Sequence, residues 1–321
     1  MSAVTILTLS EPEAWTAAVE AHGLPSHTHG YARGLAAAGL DPRLAVVEAG
    51  GARMLLPFVE RPIPGSGLSD IATIPGLSGA AIVPDSLAPL QAWAAYAADR
   101  GWVTGYIQLG LDNHGLQALD PDHIRAHNIM IRFDLSTWDL ATSTSRNARR
   151  TITKPDRQGV GFVTGRARLE QPFLDLYYPA MARLKASSVF PRACIETWYE
   201  TDGLDLFGAE VEGGIVAAYL THRHGDHVDG HLAATTEAGR SLGAWMFWRM
   251  AEHYRAMGVR YFNIGGAGTP GDGIHWTKGR FNADEFPLLS VRQVYDRGAH
   301  DRLCAAAGDR LNPDRFPPYR V

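Results

Sequence analysis

Cysteine is scarce in this sequence, and so is any segment that could cross a membrane. The 321 residues include two cysteines, Cys194 and Cys304, which are too few for a disulfide framework or a cysteine-rich zinc site. No apolar run approaches the ~20 residues that a membrane-spanning helix requires. The N-terminus has no basic segment followed by an apolar run, which argues against a signal peptide. These absences predict a cytoplasmic protein without integral membrane contact.

An excess of positive charge is also absent. The formal net charge is -4 and the sequence pI is about 6.3, which excludes a globally basic surface that would coat nucleic acid. The composition, 45% hydrophobic and 20% charged, is that of a globular protein with a sizeable core. The length predicts two domains or one large domain.

One segment is nevertheless densely basic. It contains Arg146, Arg149, Arg150 and Lys154. On a continuous helix, residues 146, 150 and 154 would share one face. We interpret this face as a phosphate-binding surface. The alternatives are a solvated helix face, or positive charge that complements the negative end of a helix dipole.

A glycine-dense loop follows an apolar strand that is predicted at 259–264. The loop from Gly265 to Gly273 holds five glycines and a proline, so its backbone can approach a ligand closely. Lys278 follows, and acyl transfer to an amine passes through an oxyanion that a fixed ammonium group stabilises. Lys278 is therefore the predicted catalytic residue, and a surface lysine after a turn is the alternative. Neighbouring candidates for substrate binding or proton relay are Asn263, Gly265, Gly266, Trp276, Phe281, Tyr219, His231 and His275.

The two halves of the chain carry the same series of turn signals. Gly50-Gly51 precedes a predicted helix that ends at Gly101, and Gly213-Gly214 precedes one that ends at Gly258. Each glycine pair predicts a hairpin turn, and each single glycine predicts a helix C-terminus. The order favours a duplicated hairpin–helix–strand unit. The second helix is amphipathic, with a predicted buried stripe of Leu242, Met246, Met250, Tyr254 and Met257.

Residues 145–290 resemble the Fem family of aminoacyl-tRNA-dependent transferases, within the GNAT-like acetyltransferase superfamily. The matching pieces are the basic segment at 145–154 with Gly159-Val160, the helix at 173–181, the hairpin at Gly213-Gly214 and the run from strand to lysine. The resemblance implies two tandem GNAT-like α/β domains, each with a mixed central sheet flanked by helices. The first would span 1–144, the second 145–297, and a tail, 298–321, would pack back on the first domain.

The resemblance also implies a reaction. An aminoacyl group would move from the 3′ end of a charged tRNA to an amine of a peptidoglycan precursor or a natural-product acceptor, without a cofactor. Lys278 would stabilise the oxyanion, and the basic segment would hold the tRNA phosphates. Residues of the first domain near His29, Tyr31 and Arg33 would bind the acceptor.

Two other enzymatic interpretations remain open, as does a binding protein that kept the fold and lost catalysis. In CoA-dependent relatives a small residue completes the pyrophosphate loop, whereas Arg240-Ser-Leu-Gly-Ala-Trp245 ends in tryptophan, which is expected to crowd a pyrophosphate. An acyl-CoA-dependent N-acyltransferase is the first alternative.

The second alternative is a zinc hydrolase, because His222-Arg-His-Gly-Asp-His227 reproduces the metallo-β-lactamase signature. A hairpin with a two-residue turn at Gly225-Asp226 explains that segment more simply, so no metal is predicted.

Overall fold

The structure, a computed structural model, describes residues 2–186, 188–266, 273–312 and 315–320, with His275 described by its backbone alone. The strands are β1 (Ala3–Leu7), β2 (Pro42–Ala49), β3 (Ala52–Ile63), β4 (Leu68–Thr73), β5 (Ala81–Val83), β6 (Thr104–Gln108), β7 (Ile124–Asp134), β8 (Gly161–Thr164), β9 (Leu204–Val211), β10 (Gly214–His224), β11 (His227–Thr235), β12 (Tyr261–Gly266) and β13 (Asp284–Val294). The α-helices are α1 (Pro12–Val19), α2 (His29–Ala37), α3 (Ala88–Asp99), α4 (Leu116–Leu119), α5 (Leu140–Ser143), α6 (Arg146–Ile152), α7 (Lys154–Arg157), α8 (Arg166–Leu184), α9 (Arg192–Tyr199), α10 (Gly243–Ala256), α11 (Gly273–Gly279) and α12 (Arg297–Ala307).

The chain divides into two compact units. The first unit contains residues 1–127 and 287–321, and the second contains 128–286. Residues 128–144, which the sequence analysis assigned to the first domain, lie in the second unit. The reason is pairing: β7 forms an antiparallel ladder with β12, and Trp138 donates its indole N–H to the carbonyl oxygen of Phe281.

The first unit is built on strands in the order β1-β2-β3-β4-β6-β13, with β5 paired to β3. Gly50-Gly51 forms the two-residue turn between β2 and β3 with φ of +59° and +76°, as the sequence predicts. Phe58, Trp93 and Trp102 lie in mutual ring contact in the core that α3 covers. The glycine pair and the helix therefore form the predicted hairpin–helix–strand unit.

The C-terminal segment is tied to the first unit through a buried carboxylate. Asp70 is 0% exposed, and its two oxygens accept hydrogen bonds from Arg61 Nε at 2.9 Å and Arg320 Nε at 2.7 Å. The Tyr319 hydroxyl lies 3.0 Å from the Thr104 hydroxyl. A buried carboxylate needs such partners, because leaving it unpaired costs several kcal/mol. Asp70 thus anchors residues 319 and 320 on the first unit.

The second unit repeats the arrangement, with strands in the order β7-β12-β11-β10-β9-β8. Its core joins α10 to β7, β9 and β12. The turn between β9 and β10 differs from the prediction, because Glu212 and Gly213, at φ +51° and +81°, occupy its centre and Gly214 begins β10. The predicted apolar stripe of α10 is buried except for Met257, which is 47% exposed because the helix ends at Ala256. Among the described residues, no helix is both long and apolar enough to cross a membrane.

Candidate active site

Two parallel strands of the second unit separate at a defined point. β11 and β12 pair over three residue pairs, of which the last is Asp229 with Asn263. Beyond this pair β11 continues to Thr235 and β12 to Gly266. On the other side of β12, Asn263 pairs with Arg132 and Gly266 with Met130, so β12 carries one extra residue. This β-bulge contains Gly265 at φ +81°.

Lys278 lies against this bulge. It stands on α11, is 8% exposed, and donates from Nζ to the carbonyl oxygens of Ile264 at 2.5 Å and Gly266 at 2.7 Å. Nζ is also 5.6 Å from the ring centroid of Phe247 on α10. Burial lowers the pKa of Lys278 to about 8. An ammonium group has three N–H donors, so the two carbonyls leave one donor for a ligand.

Several predicted residues stand close to this lysine. The side chain of Asn263 is buried, donates Nδ2–H to Asp229 Oδ1 at 3.0 Å and accepts the Gly265 N–H at 2.9 Å. Gly266 supplies one of the carbonyls, and a Cβ there would stand 2.8 Å from the Asn128 amide nitrogen. Tyr219 packs edge-on against Phe247, and burial raises the pKa of its hydroxyl above the ordinary value. The structure therefore brings four predicted positions, Asn263, Gly265, Gly266 and Lys278, into one hydrogen-bonded assembly.

Phe281 and Trp276 have different surroundings from those predicted. Phe281 is 0% exposed and lies in ring contact with Phe133, Trp138 and Phe247, so it belongs to the core behind the lysine rather than to an open pocket. Trp276 is 64% exposed, and the guanidinium of Arg280 lies 3.2 Å from its ring centroid. An exposed indole can contact a ligand, whereas Phe281 can act only by supporting its neighbours.

The remaining candidates lie elsewhere. Residues 267–272 of the predicted loop and the side chain of His275 are outside the described part of the chain. Tyr31 is in the first unit, is 1% exposed, and donates its hydroxyl to the Pro75 carbonyl, which is a structural role. Arg33 is exposed on α2 in the same unit, and the ring of His29 is hydrogen bonded to the Leu9 carbonyl.

The basic segment lines an open concavity of about 700 Å³ on the second unit. Its lining residues are Arg146, Asn147, Arg149, Arg150, Thr153 and Arg157. The prediction that 146, 150 and 154 share one helix face is wrong, because α6 ends at Ile152 and Pro155, which has no N–H to donate, lies in the first turn of α7. Arg157 takes the place expected of Lys154. It donates to Thr153 Oγ1 at 2.8 Å and to the Arg150 carbonyl at 2.7 Å.

Trp245 has an unexpected role at the start of α10. Its indole is 1% exposed and donates Nε1–H to Asp156 Oδ1 at 2.7 Å, while Arg249 lies 3.5 Å from the other oxygen. The ring is therefore occupied in the core and does not stand in the open where it would crowd a pyrophosphate. Instead it holds α7, and with it Arg157, against α10. Phe247 on the same helix faces Lys278, so α10 supports both the lysine and the arginine concavity.

The histidine motif forms the predicted hairpin. His224 pairs with His227, and the two-residue turn at Gly225-Asp226 has Gly225 at φ +57°, which confirms that interpretation. The ring of His222 packs against Trp198 and His231, and the ring of His227 lies 4.9 Å from that of Tyr261. Within the described ranges, no group of three or more His, Cys, Asp or Glu side chains is arranged to hold a metal ion. The geometry gives the zinc hydrolase alternative no support.

This geometry predicts that His224→Ala leaves folding and any transferase activity close to native. The purified native protein is expected to carry far less than one equivalent of zinc, measured by elemental analysis after dialysis without chelator. Stoichiometric zinc that disappears together with activity in His224→Ala would restore the hydrolase hypothesis.

One buried histidine, His222, and one half-buried histidine, His231, predict acid sensitivity of the second unit. His222 and His231 lie 5.3 Å apart between ring centroids, and burial lowers the pKa of His231 to about 4 and that of His222 well below its ordinary value. Between pH 6.5 and about 4 the unfolded chain therefore binds more protons than the folded chain. The free energy of unfolding should fall across this window by a few kcal/mol, since each pKa unit corresponds to about 1.4 kcal/mol.

The measurement is urea denaturation at a series of pH values. His231→Phe removes one titrating group and should flatten the curve between pH 6.5 and 4, whereas His22→Gln, on an exposed histidine, should not. Parallel curves for His231→Phe and the native protein would show that the His231 ring carries no part of the acid sensitivity.

Two residues of these sites were missed from the sequence. Asp229 lies in the segment His227-Val-Asp-Gly-His231, in which the local pattern is that of the histidines and nothing marks the carboxylate. Its position beside Asn263 depends on a parallel pairing that is distant in sequence. Arg157 lies seven residues after Arg150, a spacing of two helical turns that could have indicated a shared face.

Comparison with known proteins identifies the fold. Residues 142–272 match the Acetyltransferase (GNAT) domain family. The crystal structure of FemX superposes with a TM-score of 0.67 at 11% identity, covering 94% of this chain and 99% of that chain. For L-PGS from Bacillus licheniformis the TM-score is 0.54 at 14% identity, with 89% and 92% covered. For the C-terminal domain of a protein described as a lysylphosphatidylglycerol synthetase from Agrobacterium fabrum it is 0.59 at 16% identity, with 88% and 91% covered. No curated protein matches the chain.

These likenesses confirm the fold class predicted from the sequence, two tandem GNAT-like α/β domains, and the resemblance to Fem-type proteins at the level of fold. The matched GNAT domain contains β11, α10 and the whole of β12, which surround the lysine site, whereas α11 with Lys278 lies just beyond the match. The domain family supports an acyltransferase activity and leaves the acyl donor open.

Proposed function

We propose that this protein is an aminoacyltransferase that forms an amide bond between an aminoacyl group, donated by an aminoacyl-tRNA, and an amine acceptor. The observation that carries the proposal is Lys278, a buried ammonium held by two backbone carbonyls at the point where β11 and β12 separate. A cation fixed in a site of low polarity stabilises developing negative charge far better than one in water. Lys278 is the proposed catalytic residue.

The chemistry requires no protein nucleophile. The amine nitrogen attacks the ester carbonyl carbon, a C–N bond forms, and the carbonyl oxygen becomes an oxyanion that Lys278 stabilises. The intermediate collapses, the C–O bond to the ribose breaks, and the proton lost by the amine is delivered to the leaving ribose oxygen. The products are an amide and a free tRNA end. Orientation and one fixed cation account for the protein's contribution.

The separated strands are a suitable place for the acyl chain. Backbone groups of β11 and β12 that do not pair with one another beyond Asp229 and Asn263 can accept an extended amide-containing ligand as an added strand. Asn263, Gly265 and Gly266 would form the wall next to the lysine, and the exposed indole of Trp276 is the proposed outer contact. The acceptor contribution of Tyr31 and Arg33 stays a prediction, which the buried setting of Tyr31 disfavours.

The arginine concavity supports the tRNA donor. Arg146, Arg149, Arg150 and Arg157 line it, and its described lining includes no acidic side chain. Four guanidinium groups on one surface of a chain with a net charge of -4 form a local site for polyanions rather than a general one. Lys154 is exposed at the start of α7, outside this lining, and is expected to add only long-range attraction.

An acyl-CoA donor is the competing function, because the GNAT domain match and the short helical turn before α10 fit it equally well. The test is transfer of radiolabel from a pool of charged tRNAs into amine acceptors, with and without ribonuclease. Phosphatidylglycerol, which offers a hydroxyl rather than an amine, is included as a comparison acceptor because a structural neighbour is described as a lysylphosphatidylglycerol synthetase. Ribonuclease-sensitive transfer is the expected result. Transfer from acyl-CoA that ribonuclease does not affect would replace the tRNA donor with CoA.

A further inference from the structure

Asp229, Asn263 and Gly265 form a chain of hydrogen bonds that ends at the carbonyls around Lys278. Asn263 bridges the other two, with contacts of 3.0 Å to the Asp229 carboxylate and 2.9 Å to the Gly265 N–H. A carboxylate can only accept and a backbone N–H can only donate, so the orientation of the Asn263 amide is determined. Asp229 and Asn263 are 7% and 5% exposed, so water competes little for these bonds.

The bond from Gly265 to Asn263 is formed inside the β-bulge. Gly265 has φ +81°, which residues with a Cβ adopt at a cost, and it stands between the two residues whose carbonyls accept from Lys278. The direction of those carbonyls depends on the peptide planes on either side of Gly265. Anything that holds Gly265 in this conformation therefore also holds both acceptors of the lysine.

The position of the Asp229–Asn263 pair strengthens the connection. These residues are the last register pair before β11 and β12 separate, so their side chains close the ladder at the point where the lysine site begins. Burying a carboxylate there is costly without good partners. The Asn263 amide is one such partner. Its oxygen also accepts the Gly265 N–H, so the side chain that pairs with Asp229 also restrains the bulge.

We propose that Asp229 and Asn263 are positioning residues that set the location of the Lys278 ammonium by fixing the Gly265 bulge. Their importance for turnover rests on the proposed function, whereas their effect on the lysine can be measured without any substrate. Asn263→Ala removes both hydrogen bonds with no change in charge. The carbonyls then lose their fixed direction, which changes both the hydrogen bonding and the burial of the ammonium, so the titration midpoint of Lys278 moves away from its native value.

The chain makes this titration simple to observe. It contains three lysines, Lys154, Lys185 and Lys278, so labelling with 13Cε-lysine gives three NMR signals. The signal that is absent from the spectrum of Lys278→Met is the signal of Lys278. The Asn263→Ala variant is expected to shift the Lys278 midpoint by about one pH unit or more. Asn263→Gln, which displaces the same amide by one methylene group, provides the same comparison if the alanine variant does not fold.

A reciprocal exchange tests the geometry directly. In Asp229→Asn combined with Asn263→Asp, the new amide at 229 can donate to the new carboxylate at 263, which still accepts the Gly265 N–H. The net charge is unchanged, and the Lys278 midpoint should move back toward the native value. A shifted midpoint in Asn263→Ala that the exchange restores supports the inference. A native midpoint in the folded Asn263→Ala variant, or a shift that persists in the exchange, overturns it.

Asn113 is a matched control for lost stability. It is a buried asparagine of the first unit, 3% exposed, that donates to the Ile82 carbonyl and to Asp85 Oδ1, both at 2.7 Å. Asn113→Ala should destabilise its unit and leave the Lys278 titration native. If transfer from tRNA is observed, Asn263→Ala should lower kcat about tenfold with KM nearly unchanged, which a purely structural role would not produce. If no transfer is found, the proposed function fails while the NMR titration still decides this inference.

Discussion

Lys278→Met is expected to lower kcat for acyl transfer by about 10²–10³-fold, with little change in KM for donor or acceptor. Methionine keeps much of the volume and the flexible chain of lysine but has no charge and no N–H donor. The ground-state substrates are neutral at the reacting carbonyl, so they lose little binding, whereas the oxyanion of the transition state loses its fixed cation. Steady-state kinetics with purified charged tRNA measures both constants.

The control for this substitution is Lys185→Met. Lys185 is exposed at the end of α8 and away from the described contacts of Lys278, so its replacement should leave kcat native. The native enzyme should also lose activity as the pH rises through about 8, because only the protonated Lys278 stabilises the oxyanion. An unchanged kcat in Lys278→Met, in a protein that is shown to be folded, would eliminate the oxyanion proposal.

Arg146→Gln combined with Arg150→Gln is expected to weaken tRNA binding by about 10- to 100-fold at moderate salt. Both side chains are exposed and line the arginine concavity, so their loss should not disturb the core. Each phosphate contact that is removed should reduce the slope of log K against log salt concentration by about one. Filter binding over a range of salt concentrations gives the affinity and the slope together.

Arg192→Gln is the matched control for this pair. Arg192 is an exposed arginine of the same unit that pairs with Glu196 on α9, at 2.9 Å. Its removal changes the net charge without touching the concavity, and tRNA affinity should stay within about twofold of native. Equal losses from Arg192→Gln and from the concavity variant would mean that tRNA is held by overall charge and that the concavity is not its site. At saturating tRNA, kcat of the concavity variant should remain native, which separates it from the Lys278 substitution.

Local signals predicted the parts of the fold that depend on short stretches of chain. The Gly50-Gly51 and Gly225-Asp226 turns form where the sequence predicts them, because positive φ in a two-residue turn favours glycine. The predicted stripe of α10 is buried except at Met257, because a period near 3.6 places its apolar residues on one face. The failure at Lys154 is local as well. Pro155 interrupts the helical hydrogen bonds, so the charged face divides between α6 and α7.

The catalytic candidate itself was predictable, and its environment was not. A lysine after a glycine-dense loop is visible in the sequence, but its burial depends on carbonyls that a β-bulge turns toward it. Phe281 shows the same limit, since an aromatic residue three positions from Lys278 could line a pocket or fill a core. Contacts with Phe133 and Trp138, more than 140 residues earlier in the chain, determine which occurs.

The resemblance read from the sequence implied the two-domain GNAT-like plan, while local backbone preferences and hydrophobic period predicted the Gly50-Gly51 and Gly225-Asp226 turns and most of the buried face of α10. Tertiary structure alone decided that Asp229 meets Asn263, that Trp245 holds α7 against α10, and that the pKa of Lys278 falls to about 8. The physical reason is the same in each case. Burial and hydrogen bonding between residues distant in sequence depend on how the strands and helices pack, and no local pattern specifies that packing.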